Sequence, residues 1–214
     1  MTRCLSMTEE VDIPESHEGL PVTAVADLAF EGRQYLRRVS IPSSVRSIGA
    51  QSFLGCHNLE QVTFSEGLES IGYAAFASCR KLKEINLPES LEELGHNAFA
   101  GTAVASIKIP SKITVIPKQC FYKCCNLKEI LLPEGVTDLE DECFGDVPLE
   151  EIVLPSSIRF IDPCAFRNDD YYVSGTTFDI VFKGTIEQWP GNLKEMRNYF
   201  SEVGVVHCLD GDFK

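Results

Sequence analysis

Phenylalanine recurs at Phe30, Phe53, Phe76, Phe99, Phe121, Phe144 and Phe166, so that successive positions differ by 23, 23, 23, 22, 23 and 22. A beat this regular marks a repeat architecture, in which no unit buries its apolar face alone and each stacks on the next to do so. Proline keeps the same time at Pro42, Pro88, Pro110, Pro133 and Pro155, with Ser65 in the remaining slot. Between them the chain restates one phrase, L-x-x-I-x-I-P-x-x-V-x-x-I-g-x-x-A-F-x-x-C. The copies "LEQVTFSEGLESIGYAAF" (59–76) and "LKEINLPESLEELGHNAF" (82–99) share its apolar places and differ at most polar ones.

The rung at the head of each copy is Leu36/Val39/Ile41, Leu59/Val62/Phe64, Leu82/Ile85/Leu87, Val104/Ile107/Ile109, Leu127/Ile130/Leu132 and Leu149/Ile152/Leu154. It has the L-x-x-L-x-L form of a leucine-rich repeat, and its last three residues alternate in, out, in as a strand does. Stacked about 4.8 Å apart, such rungs make a parallel sheet over a continuous core. Proline cannot donate to that ladder and must sit just past the strand, where it turns the chain. A shorter second element follows at Val45/Ile48, Leu68/Ile71, Leu91/Leu94, Ile113/Ile116, Val136/Leu139 and Ile158/Ile161. The next position is Gly49, Gly72 and Gly95, but Pro117 in a later copy. Proline holds φ at about −65°, so these glycines do not serve a positive φ. "GYAAF" and "PKQCF" therefore read as a single helical turn that drives phenylalanine inward.

The phrases "IPSSVRSIGAQSFLGCHNLEQVTF" and "GLPVTAVADLAF" resemble BspA-type leucine-rich repeats, over roughly residues 12–166. "IVFKGTIEQW" and "VVHCLDGD" are similar to the closing segment common in such proteins. The resemblance implies a leucine-rich-repeat solenoid. It also implies a binding role, since family members are mostly surface or secreted proteins of bacteria and some protists, associated with adhesion and host binding.

The expected fold is a right-handed solenoid of about seven repeats of 22–23 residues, with short parallel strands, short helical turns and a small α/β cap. Residues 1–19 form an N-terminal cap segment, 20–166 the repeats and 167–214 the C-terminal cap, within one structural domain. Caps are needed because a bare terminal rung exposes sheet edge and core. In the cap, "TFDIVFKG" reads as a strand and "TIEQW" opens a helix, with Thr185 and Gln188 spaced as a capping box. "GNLKEMRNYFSEVG" is helical in pattern, "VVHCL" is a closing strand, and Trp189 covers the last rung.

The formal charge of −13 repels phosphate backbones and anionic lipid, so neither nucleic acid nor a membrane surface is the expected partner. No apolar run approaches a membrane span, so no membrane insertion is expected. "MTRCLSMTEEVDIPESHEG" lacks the apolar core of a secretory signal. The chain as written is cytoplasmic, or its leader lies outside this sequence, and the resemblance points to the cell surface.

Nine cysteines invite a search for chemistry. Cys56, Cys79 and Cys124 lie three after phenylalanine, and Cys120 and Cys143 just before it, in a slot other copies fill with Ala29, Ser52, Ala75, Ala98 and Ala165. These read as buried, inert thiols. There is no C-x-x-C, and Cys120, Cys124, Cys125 and Cys143 lack a matching histidine pair for zinc. Cys125 is the expected exposed thiol. His57 and His96 lie on turns, and neither "DLEDECFGD" nor "NDDYYVSGTTFD" has calcium-loop spacing. No catalytic residues, cofactor or metal are expected, and the chain is not expected to be an enzyme.

The outward strand positions are where a partner could be read. The column after the rung leucine runs Arg37, Glu60, Lys83, Ala105, Lys128, Glu150, and alternating signs predict an ion-pair ladder. The column between the last two inward residues runs Ser40, Thr63, Asn86, Lys108, Leu131, Val153, turning apolar toward the C-terminus. Leu131 and Val153, with Lys108, Glu129 and Glu151 around them, are the expected contact for a protein partner, unless the C-terminal cap folds over them. A protein-binding scaffold is the first functional reading. A passive spacer or oligomer-forming module without a specific ligand is the second.

Overall fold

The computed structural model describes residues 8–168, 177–190 and 203–213. The chain winds as a β-solenoid of about seven turns. One face carries the rung strands Glu10–Asp12, Arg38–Ile41, Gln61–Phe64, Ser106–Lys108, Glu129–Leu131 and Glu151–Leu154. They pair in parallel, Val11 beside Val39 beside Val62, and Ile107 beside Ile130. A second column holds two-residue strands from Ala24–Val25 and Ser47–Ile48 to Phe160–Ile161. Prolines end the rungs because the following amide must otherwise continue the ladder. Ser65, the exception, donates its N–H to the Ile41 carbonyl at 3.0 Å.

The phenylalanines form the axis of the core. From Phe30 to Phe166 each ring stacks on the next with centroids 5.0–5.9 Å apart and planes within 16°. Phe53, Phe76, Phe99, Phe121 and Phe144 are fully buried, as are the rung residues Leu59, Leu82, Val104 and Leu127 beside them.

The helical turn expected over "GYAAF" and "PKQCF" does not form. Two tight turns flank each phenylalanine from Phe30 to Phe144 instead. Around Phe76, Ala75 N–H donates to the Gly72 carbonyl at 3.3 Å and Cys79 N–H to the Phe76 carbonyl at 3.2 Å. Ala74 lies at φ 49° and Ser78 at φ 61°, as the third residue of a type II turn requires and no right-handed helix permits. The left-handed residue recurs at Leu28, Gln51, Asn97, Gln119 and Glu142, and again at Gly32, Gly55, Gly101, Lys123 and Asp146. Bonding between coils holds these conformations: Phe76 N–H donates to the Ala98 carbonyl and Ser78 N–H to the Ala100 carbonyl, at 2.8 and 2.7 Å.

Gly49, Gly72 and Gly95 are not at positive φ, in keeping with Pro117 at the same position. They serve close approach. A β-carbon on Gly95 would lie 2.4 Å from the Gly72 carbonyl carbon, and one on Gly72 2.9 Å from the Ala50 nitrogen.

Both sheets part at one level. The second column breaks into four strands ending at Glu93–Leu94 and three beginning at Val115–Ile116, and the rung sheet breaks between Gln61–Phe64 and Ser106–Lys108. The rung between them makes one bridge, Glu84 to Gln61. Elsewhere in the second column the next amide crosses to the neighbouring coil, as Gly95 N–H does to the Ile71 carbonyl at 2.7 Å. Pro117 has no N–H to offer. The turn ridge spans the gap, with Asn97 N–H donating to the Lys118 carbonyl and Phe99 N–H to the Cys120 carbonyl, both at 3.0 Å.

At the N-terminal end, strands Ser16–His17 and Leu20–Pro21 form a hairpin closed by Glu18 and Gly19 at φ 52° and 80°. That is the two-residue turn with both central residues left-handed. At the other end, Phe178–Phe182 adds in parallel to Glu151–Leu154, Val203–Cys208 adds next, and Gly211–Phe213 closes the sheet antiparallel. The capping box is present: Thr185 N–H donates to Gln188 Oε1 at 2.9 Å, and Gln188 N–H to Thr185 Oγ1 at 3.4 Å. Trp189 is buried edge-on against Phe182. The helix expected over 191–204 lies outside the described residues for 191–202, and Val203 and Gly204 open a strand instead. The 169–176 part of "NDDYYVSGTTFD" and residues 1–7 also lie outside them.

Candidate functional site

Alternation along each rung places every second side chain on the outer strand face. On strand Glu129–Leu131, Ile130 points into the core while Glu129 and Leu131 are exposed. On strand Glu151–Leu154, Ile152 and Leu154 are buried, Glu151 is exposed and Val153 half-buried. Leu131 pairs with Val153, and Val153 with Val181, so three aliphatic side chains form a row across three rungs. Leu131 is 52% exposed. Beside this row runs a second one of Glu129, Glu151 and Asp179, with Glu151 paired to Asp179. Among the described residues Glu129 and Glu151 have no ion pair. Asp179 Oδ1 accepts the Val205 N–H at 2.9 Å, and His207 Nε2 stands 3.8 Å from its other oxygen.

Lys108 pairs with Leu131 in the ladder, but its ammonium is committed elsewhere. It donates to Glu89 Oε1 at 2.7 Å, in the turn one coil earlier. That hydrogen bond, with a second from Ser111 N–H, holds the Glu89 carboxyl below its ordinary range. The alternating column forms two of its pairs, Arg37 with Glu60 at 3.2 Å and Lys128 with Glu150 at 3.5 Å. Ala105 interrupts it, so the ladder is not continuous.

The turn ridge explains the cysteines. Cys56, Cys79 and Cys124 are buried, and each thiol donates to the carbonyl of the preceding coil's phenylalanine: Phe30 at 3.0 Å, Phe53 at 3.3 Å and Phe99 at 3.2 Å. Burial pushes the Cys56 and Cys124 thiols up to about 11 and raises those of Cys79, Cys120 and Cys143 well above the ordinary thiol range. Protonated at neutral pH, Cys56, Cys79 and Cys124 serve as hydrogen-bond donors between coils. Cys125 is exposed. His57 Nδ1 donates to the Ser78 carbonyl at 2.9 Å, tying one coil to the next. The donor atoms of Asp141, Asp162 and Cys164 lie within 4.8 Å of one another. Asp141 is engaged by Lys118 at 2.6 Å and Asp162 by the Cys164 N–H at 2.8 Å, so loop packing accounts for the cluster.

Six copies of the BspA type leucine rich repeat region match the chain, over residues 3–77 and 47–172. The chain belongs to the BspA-type leucine-rich repeat family. Among solved structures, this BspA-type chain is similar to a leucine rich cell surface protein from Faecalibacterium prausnitzii A2-165, at 27% identity and a TM-score of 0.71. That match covers 82% of this chain and 48% of the other, so the chain spans about half the length of the Faecalibacterium protein. A leucine rich repeat protein of T. pallidum matches at 27% identity and a TM-score of 0.63, covering 94% of this chain and 87% of the other. A leucine-rich repeat protein from Eubacterium ventriosum shares the fold at 17% identity and a TM-score of 0.52, covering 83% of this chain and 67% of the other. No curated protein matches the chain. Among the described residues, no helix is long and apolar enough to cross a membrane.

Sequence reasoning placed Leu131, Val153, Glu129 and Glu151 on adjacent rungs, and missed Val181 and Asp179. These two pair with Val153 and Glu151 across a connection longer than the repeat, and so fall off its beat. Their signal was the alternation in "FDIVF", which matches "EIVL" inward and outward.

Proposed function

We propose that this BspA-type repeat protein is a non-enzymatic scaffold that binds another protein across the strand face of its C-terminal coils. The observation that carries this is the exposed Leu131 standing in a row with Val153 and Val181, beside Glu129 and Glu151, which have no ion pair among the described residues. Repeat solenoids present such faces as rigid, extended binding surfaces. An exposed leucine flanked by two half-buried valines is apolar surface of the kind that partner contacts use. Lys108, bound to Glu89, borders the patch and holds its edge rather than offering a free charge.

The cell-surface description of the Faecalibacterium protein supports a place for this chain at the surface of a cell. Protease treatment of intact source cells, followed by detection of this chain, tests that setting: loss supports it and full protection counts against it. For the patch, the chain and its Leu131→Asp/Val153→Asp variant are compared in affinity capture from the source's surface extract. A captured protein lost with the variant, at an unchanged melting temperature, supports the site. Equal capture by both, or a variant that melts early, removes it.

A passive spacer or oligomer-forming module is the second reading, favoured by the rung edges that any solenoid carries. Light scattering decides its oligomeric form: a mass that rises with concentration supports it, and a constant monomer mass does not.

A further inference from the structure

We infer that the partner segment read by this face is a basic amphipathic helix lying along the solenoid axis, an inference that rests on the binding-scaffold reading above. The argument begins with charge. Glu129, Glu151 and Asp179 occupy one outward column on three successive rungs, about 4.8 Å apart by sheet geometry. Like charges stacked across strands are destabilising, so the fold gains nothing from this column. Toward the N-terminal end the same column runs Glu10, Arg38, Gln61 and Glu84, with Arg38 paired to Glu10 and no two acids on successive rungs. Three lysines of the described C-terminal coils are engaged elsewhere: Lys128 by Glu150, Lys183 by Glu134 and Lys108 by Glu89. Asp179 is met by a backbone N–H and by His207. Among the described residues no cation pairs with Glu129 or Glu151, which leaves both carboxylates open to a cation from a partner.

The second part is spacing. The acidic row and the aliphatic row of Leu131, Val153 and Val181 lie two residues apart on each strand, about 6.6 Å. Both rows run across the strands, along the solenoid axis. An extended peptide laid that way advances about 3.3 Å per residue and falls out of step with the rungs. A helix advances about 5.4 Å per turn, close to the rung spacing, and so presents one side chain of each row to each rung. A helix with leucine on one stripe and lysine or arginine on the adjoining stripe matches both rows at once.

The test uses the whole chain and two labelled 18-residue synthetic peptides. One carries leucine and lysine at helical spacing on adjoining stripes, and the other has glutamate in place of lysine. Fluorescence anisotropy is read at low and moderate salt. The lysine peptide is expected to bind and the glutamate peptide not, with affinity falling at least tenfold as salt rises from about 50 to 300 mM. Glu129→Gln/Glu151→Gln is expected to weaken binding at least fivefold. Glu31→Gln/Glu93→Gln, which makes the same change of net charge at exposed sites off this face, is expected to change it less than twofold. Melting curves for every variant separate lost binding from lost fold.

If the two glutamine pairs behave alike, or both peptides bind equally, attraction is general and the inference is overturned. If Leu131→Ser/Val153→Ser loses the lysine peptide while Glu129→Gln/Glu151→Gln keeps it, the aliphatic patch stands as a binding site and the basic partner falls. If the wild-type chain ignores the lysine peptide, the inference falls by itself, and the scaffold reading rests on its own capture experiment.

Discussion

Gly95 lies against Gly72 backbone to backbone, so close that a β-carbon on Gly95 would meet the Gly72 carbonyl carbon at 2.4 Å. The neighbour is main chain, bonded through the Gly95 N–H to Ile71, and cannot swing aside as a side chain would. Gly95→Ala is expected to destabilise by about 1–3 kcal/mol, as overpacking does, although alanine suits the backbone angles. Urea midpoints measure it. A loss no larger than that of an ordinary surface substitution, about 0.5 kcal/mol, would show that neighbouring coils can separate at this point without cost.

Phe76 stacks between Phe53 and Phe99 at 5.0 and 5.6 Å, with no exposed surface. Truncation leaves a cavity in a column whose neighbours are fixed by coil-to-coil hydrogen bonds, so collapse around it is limited. Phe76→Ala is expected to cost about 3–5 kcal/mol. Phe30, half-buried at the end of the stack, should cost clearly less. Equal losses at the two positions would mean that stacking depth does not set the cost.

Ser52 fills the small slot before Phe53, where the neighbouring coils carry Ala29 and Ala75. It is fully buried, and its hydroxyl has no hydrogen-bond partner among the described residues. A hydroxyl taken from water without a replacement bond is a net cost. Ser52→Ala is therefore expected to raise stability by about 1 kcal/mol. A fall on thermal or urea unfolding would reveal a bond made by that hydroxyl.

Cys124 is fully buried, and burial raises its thiol from 9.0 to about 11. Below about pH 9 the thiol is protonated in both folded and unfolded chains, and stability does not depend on it. Between pH 9 and about 11 the unfolded chain releases a proton that the folded chain keeps, so stability falls as pH rises. The slope approaches about 1.4 kcal/mol per pH unit for each such thiol. Urea midpoints at pH 7 to 10 should fall less steeply above pH 9 in Cys124→Ala than in the wild-type chain. Identical slopes would remove this thiol from the alkaline transition.

The coil was readable because apolar contacts force repetition. Phe53, Phe76 and Phe99 must meet, so their spacing could not drift, and the rung residues Val62, Ile107 and Ile130 obey the same demand. The turns were not readable. Gln119 and Ala74 adopt left-handed conformations that neither residue favours, because carbonyls of the adjoining coil accept their N–H groups and hold them there. A phenylalanine on this beat is compatible with a helical turn and with two linked β-turns alike. Pro117 signalled the glycine column's backbone angles correctly, and its missing amide also coincides with the level at which both sheets part, a consequence visible only once the coils are stacked.

The candidate surface divides in the same way. Leu131, Val153, Glu129 and Glu151 share the outer face because strand alternation and the repeat beat, both local properties, put them there. Pairing across the longer C-terminal connection decided that Val181 and Asp179 extend the two rows, and the reach of a neighbouring turn decided that Lys108 binds Glu89. Sequence by itself determined which side chains face the core and which face out, since burial of apolar surface acts position by position. Only the tertiary structure decided which outward groups meet a partner charge and which stay uncompensated, because that depends on distances between coils far apart along the chain.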